Sequence, residues 1–107
     1  MDSAIRNQVE QILTELRRAI DAGDVYLVDR RRNHETLLAL GYTKANVLQV
    51  LRAMRSRDYR AGPEPDDKGR PGEIWKFEVK IETYRIYIKL CFVRDEAHRV
   101  VCISFHQ

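Results

Sequence analysis

Six side chains able to hold an anion or move a proton recur at alternate positions in the C-terminal third of the chain. They are Lys76 and Lys80 in Ile74-Trp75-Lys76-Phe77-Glu78-Val79-Lys80, Arg85, Tyr87 and Lys89 in Tyr84-Arg85-Ile86-Tyr87-Ile88-Lys89, and His106 in Cys102-Ile103-Ser104-Phe105-His106. Alternate residues of an extended chain project to one side, so each run delivers its polar members to a common surface. Four cations, a phenol and an imidazole are what a phosphate-binding, proton-transferring surface requires. His106 is the natural proton carrier, because imidazole as a side-chain type titrates near neutral pH whereas lysine and tyrosine titrate roughly 3 to 4 units higher. The plainer account is a solvated sheet face that its lysines keep from aggregating, and for any single lysine that account prevails. The number gathered on one face favours chemistry.

The elements that position these residues follow from periodicity. Three runs with a period of two, Glu73 to Ile81, Tyr84 to Phe92 and Arg99 to His106, are joined at Glu82-Thr83 and Arg94 to His98 and predict an antiparallel meander. One alternation list is apolar: Trp75, Phe77, Val79 and Ile81, then Tyr84, Ile86, Ile88, Leu90 and Phe92, then Val101, Ile103 and Phe105. The other holds Ile74, Lys76, Glu78 and Lys80, then Arg85, Tyr87, Lys89 and Cys91, then Val100, Cys102, Ser104 and His106. Because Phe105 belongs to the first, His106 is expected to project from the polar face.

Upstream, Ile5, Val9, Ile12, Leu13, Leu16 and Ile20 recur at three and four, predicting an amphipathic helix over 3–22 that Gly23 stops. A β-prone stretch, Val25 to Val28, runs into Asp29-Arg30-Arg31-Arg32. Asn33 is then the expected cap of a brief helix ending at Gly41, and Thr43 of a third that turns Val47, Leu48, Leu51 and Met54 to one side. Ala61 to Gly72 gathers three prolines and three glycines and reads as a loop, neither helix nor central strand. The fold class is therefore α+β: one domain, 1–107, with N-terminal helices on one face of a C-terminal antiparallel sheet.

Bulk properties bound the rest. The chain has 107 residues, 44% hydrophobic and 33% charged, as a folded domain does. A net charge of +3 is weak support for a polyanion partner. No apolar run nears the roughly 20 residues of a membrane helix, and the N-terminal stretch lacks a signal-peptide core, so no membrane partner is expected and the cytoplasm is the expected compartment. Cys91 and Cys102 lie inside strand runs, so reduced thiols are expected. A metal site of Cys102 with His106 is rejected, since four residues of strand span about 13 Å. His34 and His98 fall in polar connections and are expected to be exposed.

The ordered set Gly23-Asp24-Val25, Ala39-Leu40-Gly41, Asp58-Tyr59-Arg60, Ile74-Trp75-Lys76, Tyr87-Ile88-Lys89 and Ser104-Phe105-His106 resembles the MqsR-type toxins, within the RelE-like group of bacterial mRNA interferases from type II toxin–antitoxin pairs. The likeness runs from about the end of the first helix to the C-terminus. It implies metal-independent endoribonuclease activity without a cofactor, an mRNA substrate and a cognate antitoxin encoded nearby, and it leaves a ribosome requirement open. Carried over by position, the family's active-site pattern falls on Arg60, at the helix–loop junction, and on Lys76, Tyr87 and His106 from the three strands. The family's better-known members carry lysine in place of Arg60 and His106 and glutamine in place of Lys76, so Tyr87 alone matches by identity.

On that resemblance His106 is the main proton-transfer group, Tyr87 a second acid–base group or a phosphate orienter, and Arg60 a bidentate fork for phosphate oxygens. Lys76 and Lys89 act as point charges, with Lys80 and Arg85 among the RNA-binding residues. The alternatives are a rim Arg60 paired with Asp58 or Glu64, and cross-strand pairs at Lys76 and Tyr87 that only stabilise the sheet. Arg30-Arg31-Arg32 is a solvated turn, or grips RNA backbone or an acidic antitoxin segment. A non-catalytic RNA-binding or protein-interaction domain is the competing function. RNA platforms display several stacking aromatics, and here the polar list has Tyr87 alone.

Overall fold

The computed structural model describes residues 1–66, 68–69, 71–95 and 98–107. Helix α1, Ser3–Ala22, starts where the Asp2 carboxylate accepts the Ile5 N–H at 2.9 Å and stops at Gly23, whose φ of 74° is the left-handed conformation a helix end needs. Its stripe of Val9, Ile12, Leu13 and Leu16 is buried. Helix α3, Lys44–Ala53, is closed by a capping box of Thr43 with Asn46 and buries Val47 and Leu51 beside Met54. Both lie over the apolar face of a five-stranded sheet, forming one core with Trp75, Phe77, Ile86, Ile88, Leu90, Phe92 and Phe105. The expected α+β architecture, with helices against one sheet face, is what the chain adopts.

The sheet order is β1-β5-β4-β3-β2, where β1 is Val25–Leu27, β2 Tyr59–Pro65, β3 Gly72–Ile81, β4 Tyr84–Val93 and β5 Val100–His106. Strands β2 to β5 are antiparallel neighbours, but β1 runs parallel to β5, so the sheet is mixed rather than a pure meander. The proline-rich stretch expected to be a loop begins as the edge strand β2. Pro63 and Pro65, with no N–H to donate, are tolerated there because one side of an edge strand needs no partner, and the ladder shifts register twice, between Tyr59 and Ala61 and again between Ala61 and Glu64 across the cis Gly62–Pro63 bond.

In β3 and β4 the alternation holds over the whole register, from Gly72 opposite Val93 to Ile81 opposite Tyr84. In β5 it does not. Lys89 faces Ser104 but Leu90 faces Cys102, leaving Ile103 as an extra residue, and a bulge of one residue reverses the faces across it. Val100 and Cys102, expected outside, are therefore in the core. Val101 stands opposite Cys91 and Ile103 is half-buried, although both were expected inside. Burial pushes the Cys102 thiol up to about 12, so it stays protonated at neutral pH. Phe105 still faces in, and Ser104 and His106 face out beside Lys89 and Tyr87.

Helix α2, Arg31–Leu40, replaces β1 as the neighbour of the second half of β5. Asn33 was expected to cap this helix. The helix begins two residues earlier, at Arg31, and Asn33 points inward. Its amide nitrogen donates to Val28 O and Ile103 O, both at 3.0 Å, while its oxygen accepts the Phe105 N–H at 2.9 Å. Thr36, one turn on, accepts the Gln107 N–H at 3.3 Å. Side chains of α2 thus satisfy the strand-edge groups that β1 is too short to reach.

Candidate functional site

The outer sheet face is not polar along its whole length. At one end Ile74 and Cys91, both from the outward list, are buried, with the Cys91 thiol 3.8 Å from the buried carboxylate of Asp66. At the other end the strands set two rows of polar side chains side by side. Across β3, β4 and β5 one row runs Glu78, Tyr87, His106 and the next runs Lys76, Lys89, Ser104; from β2, Arg60 reaches Glu78 and Glu64 reaches Lys76 through ion pairs. Successive rows are about 7 Å apart, two strand residues. Arg30, just before α2, reaches the end of the second row.

All four side chains expected as catalytic lie on this face, in different electrostatic settings. Arg60 sits in β2, not at a helix–loop junction; its Nε is 3.3 Å from Glu78 Oε2 and its Nη1 donates to Arg57 O and Tyr59 O. The partner is Glu78, not Asp58 or Glu64. Arg85 Nε takes the other oxygen of Glu78 at 3.0 Å, and Lys76 Nζ meets Glu64 Oε1 at 3.0 Å. A groove of about 360 Å³ is lined by Arg60, Glu78, Val79, Lys80 and Arg85, and a smaller one of about 120 Å³ by Glu64, Pro65, Ile74, Lys76 and Lys89. Carboxylates therefore stand among the cations on the β2–β3 side.

The β4–β5 side differs. Tyr87 and His106 are direct cross-strand partners with ring centroids 5.6 Å apart and planes tilted by 50°. His106 lies on the outer face as expected, but its residue is only 6% exposed. Its Nδ1 is 2.9 Å from the main-chain oxygen of Gln107. That oxygen can only accept, so the contact assigns the proton to Nδ1 and leaves the Nε2 lone pair free in the neutral ring. No hydrogen bond to Nε2 occurs among the described residues. Arg32 Nη2 donates to the same Gln107 oxygen at 3.1 Å, and Thr36 holds the Gln107 N–H, so α2 grips the residue that orients the imidazole.

Lys89 is half-buried between Lys76 and Ser104. Ser104 is buried, and Arg30 Nη1 donates to its Oγ at 3.3 Å and to Ile103 O at 3.4 Å. Neither Lys89 nor Arg30 forms an ion pair among the described residues. Lys80 and Arg85 form the next row towards the hairpin, exposed and beyond Glu78. His34 and His98 are exposed, and Cys102 faces the core, away from His106.

Three residues carry more of the site than their positions in the chain suggested. Glu78 was legible as the acidic member of the Lys76-Phe77-Glu78-Val79-Lys80 alternation. Arg30 and Arg32 were visible as a basic run, but their convergence on Ser104 and Gln107 depends on how α2 docks. Searches against protein-family models, curated proteins and solved structures give no match to this chain. The arrangement provides an oriented imidazole, an adjacent phenol and cations within one strand repeat, which suffice for proton transfer beside a bound anion.

Proposed function

We propose that this chain is a metal-independent endoribonuclease, an mRNA interferase of the MqsR type that acts in the cytoplasm as the toxin of a type II toxin–antitoxin pair. The observation that carries the reading is the His106 ring, fixed through Nδ1 so that Nε2 is the free basic atom, beside Tyr87 on a cationic face. The ordered resemblance of residues 23–107 to the MqsR-type toxins supplies the substrate class. In the proposed reaction His106 Nε2 takes the proton of an RNA 2′-hydroxyl as the 2′-oxygen attacks the adjacent phosphorus. The P–O5′ bond breaks, the 5′-oxygen takes a proton from the Tyr87 hydroxyl, and a 2′,3′-cyclic phosphate remains. The positive potential of this face, to which Lys89 contributes from the next row, stabilises the charge on phosphorus. Arg60 and Lys76 keep supporting roles: their pairs with Glu78 and Glu64 are partly exposed, worth about 0–1 kcal/mol, and hold both side chains at the margin of the site.

The test is cleavage of a mixed mRNA population in EDTA. The wild-type protein is expected to cut it and leave cyclic-phosphate ends. His106→Gln, which keeps most of the buried volume, is expected to lose about 10²–10⁴-fold in rate without losing its fold. Wild-type rate in this variant would rule out His106 as proton carrier. A wild-type protein that binds RNA without cutting it would select the non-catalytic RNA-binding alternative.

A further inference from the structure

On the outer face, charge and availability separate. Arg60 and Arg85 share Glu78, and Lys76 is held by Glu64. Lys89 and Arg30 approach Ser104 from opposite sides, Lys89 as its cross-strand neighbour and Arg30 through a hydrogen bond to its hydroxyl, and neither meets a carboxylate among the described residues. Ser104, buried and accepting from Arg30, acts as the anchor that turns the guanidinium toward the sheet. Only Nη1 is used in that contact, so the remaining N–H groups of the fork are available to an anion.

We infer that Lys89 and Arg30, spaced across Ser104, form a phosphate subsite for a single strand of RNA, one strand repeat from the His106–Tyr87 row. This rests on the proposed function for its ligand class and adds where the strand runs: over β4 and β5 toward α2, not over the carboxylate-bearing β2–β3 side. An acidic protein surface broad enough to engage this face would also cover Glu64 and Glu78 and meet like charge. A single polynucleotide strand is narrow enough to follow Lys89 and Arg30 alone. Arg30 offers two parallel donors to one phosphate, and Lys89 a point charge to the same or the adjoining one.

The experiment uses a 2′-O-methyl oligoribonucleotide, which binds as RNA but cannot be cleaved because its 2′-oxygen carries no proton. Affinity is measured by fluorescence anisotropy over a salt series. Removing a cation that neutralises one phosphate is expected to reduce the slope of log K against log salt by about 0.7. Arg30→Gln and Lys89→Gln should each show that drop and weaken binding, and the double variant should show twice the drop. Arg31→Gln makes the same charge change one residue away, at a side chain paired to Glu35, and should leave the slope at the wild-type value. An unchanged slope in the Arg30 and Lys89 variants, an equal drop in Arg31→Gln, no binding by the wild-type protein, or equal competition by poly-glutamate would each overturn the subsite. Binding through Lys89 and Arg30 without cleavage of unmodified RNA would sink the nuclease reading and leave the subsite standing. Cleavage with an unchanged slope would do the reverse.

Discussion

The two sides of the outer sheet face are built from the same residue types and end in opposite electrostatic states. Around β2 and β3 the cations converge on carboxylates, Arg60 and Arg85 on Glu78 and Lys76 on Glu64. On the β4–β5 side Lys89 and Arg30 have none among the described residues, and the His106 imidazole is tied to a main-chain oxygen through one nitrogen only. The contrast comes from what each strand neighbours. Strands β2 and β3 bring acidic alternation partners with their basic ones. Strand β5 instead brings Ser104 and His106, and α2 adds Arg30 and Arg32. Counting cations on a face overstates the charge a ligand meets; subtracting the internal pairs locates it.

The largest effect on this contrast is expected from removing what holds the β5 side in place. Asn33 is buried and makes three hydrogen bonds to backbone groups of 28, 103 and 105. Asn33→Ala leaves those groups without partners and should cost on the order of 3 kcal/mol in chemical denaturation. It should also reduce RNA cleavage under conditions where the variant is still folded, because the edge carrying His106 is released. A loss of activity no larger than the loss of folded protein would mean that α2 does not position the ring.

A smaller change should convert one side into the other. Glu78→Gln removes the carboxylate shared by Arg60 and Arg85. The pairs are partly exposed, so stability should change by less than about 1 kcal/mol. RNA affinity should rise, and the salt slope should steepen by up to about 0.7 for each arginine that gains a phosphate. An unchanged slope would show that the pairs do not limit the charge available on that side.

Much of this was legible in the sequence wherever local rules decided the outcome. The stops at Gly23 and Gly41, the Thr43 cap and the alternation through β3 and β4 follow from residue type and spacing alone. What was missed depended on distant neighbours. The bulge at Ile103 exchanges the faces of Val100 to Cys102, and no alternation rule shows where a strand takes an extra residue. Strand β1 falls within the stretch expected to be β-prone, but its parallel place beside β5 is set by a partner far along the chain. Asn33 looked like a cap because its amide competes well for free N–H groups; the groups it satisfies are the Val28 carbonyl just past β1 and the Ile103 carbonyl and Phe105 N–H of β5, not those of its own helix. For the site, alternation placed Tyr87 and His106 on one face, and only the register made them adjacent. It could not show that Arg60 is held by Glu78, because that contact is set by the irregular pairing of β2 with β3.

The central physical claim is that the contact to Gln107, gripped by Arg32, holds the His106 ring with its proton on Nδ1 and Nε2 free. Nitrogen-15 NMR of the histidine side chains above the imidazole titration range reads this directly. His106 is expected to show the Nδ1–H tautomer, Arg32→Met to shift it toward the Nε2–H form favoured by free histidine, and the uncleavable RNA analogue to perturb the Nε2 signal. A His106 ring protonated at Nε2 in the wild-type protein, or one whose signals ignore both Arg32→Met and RNA, would contradict it.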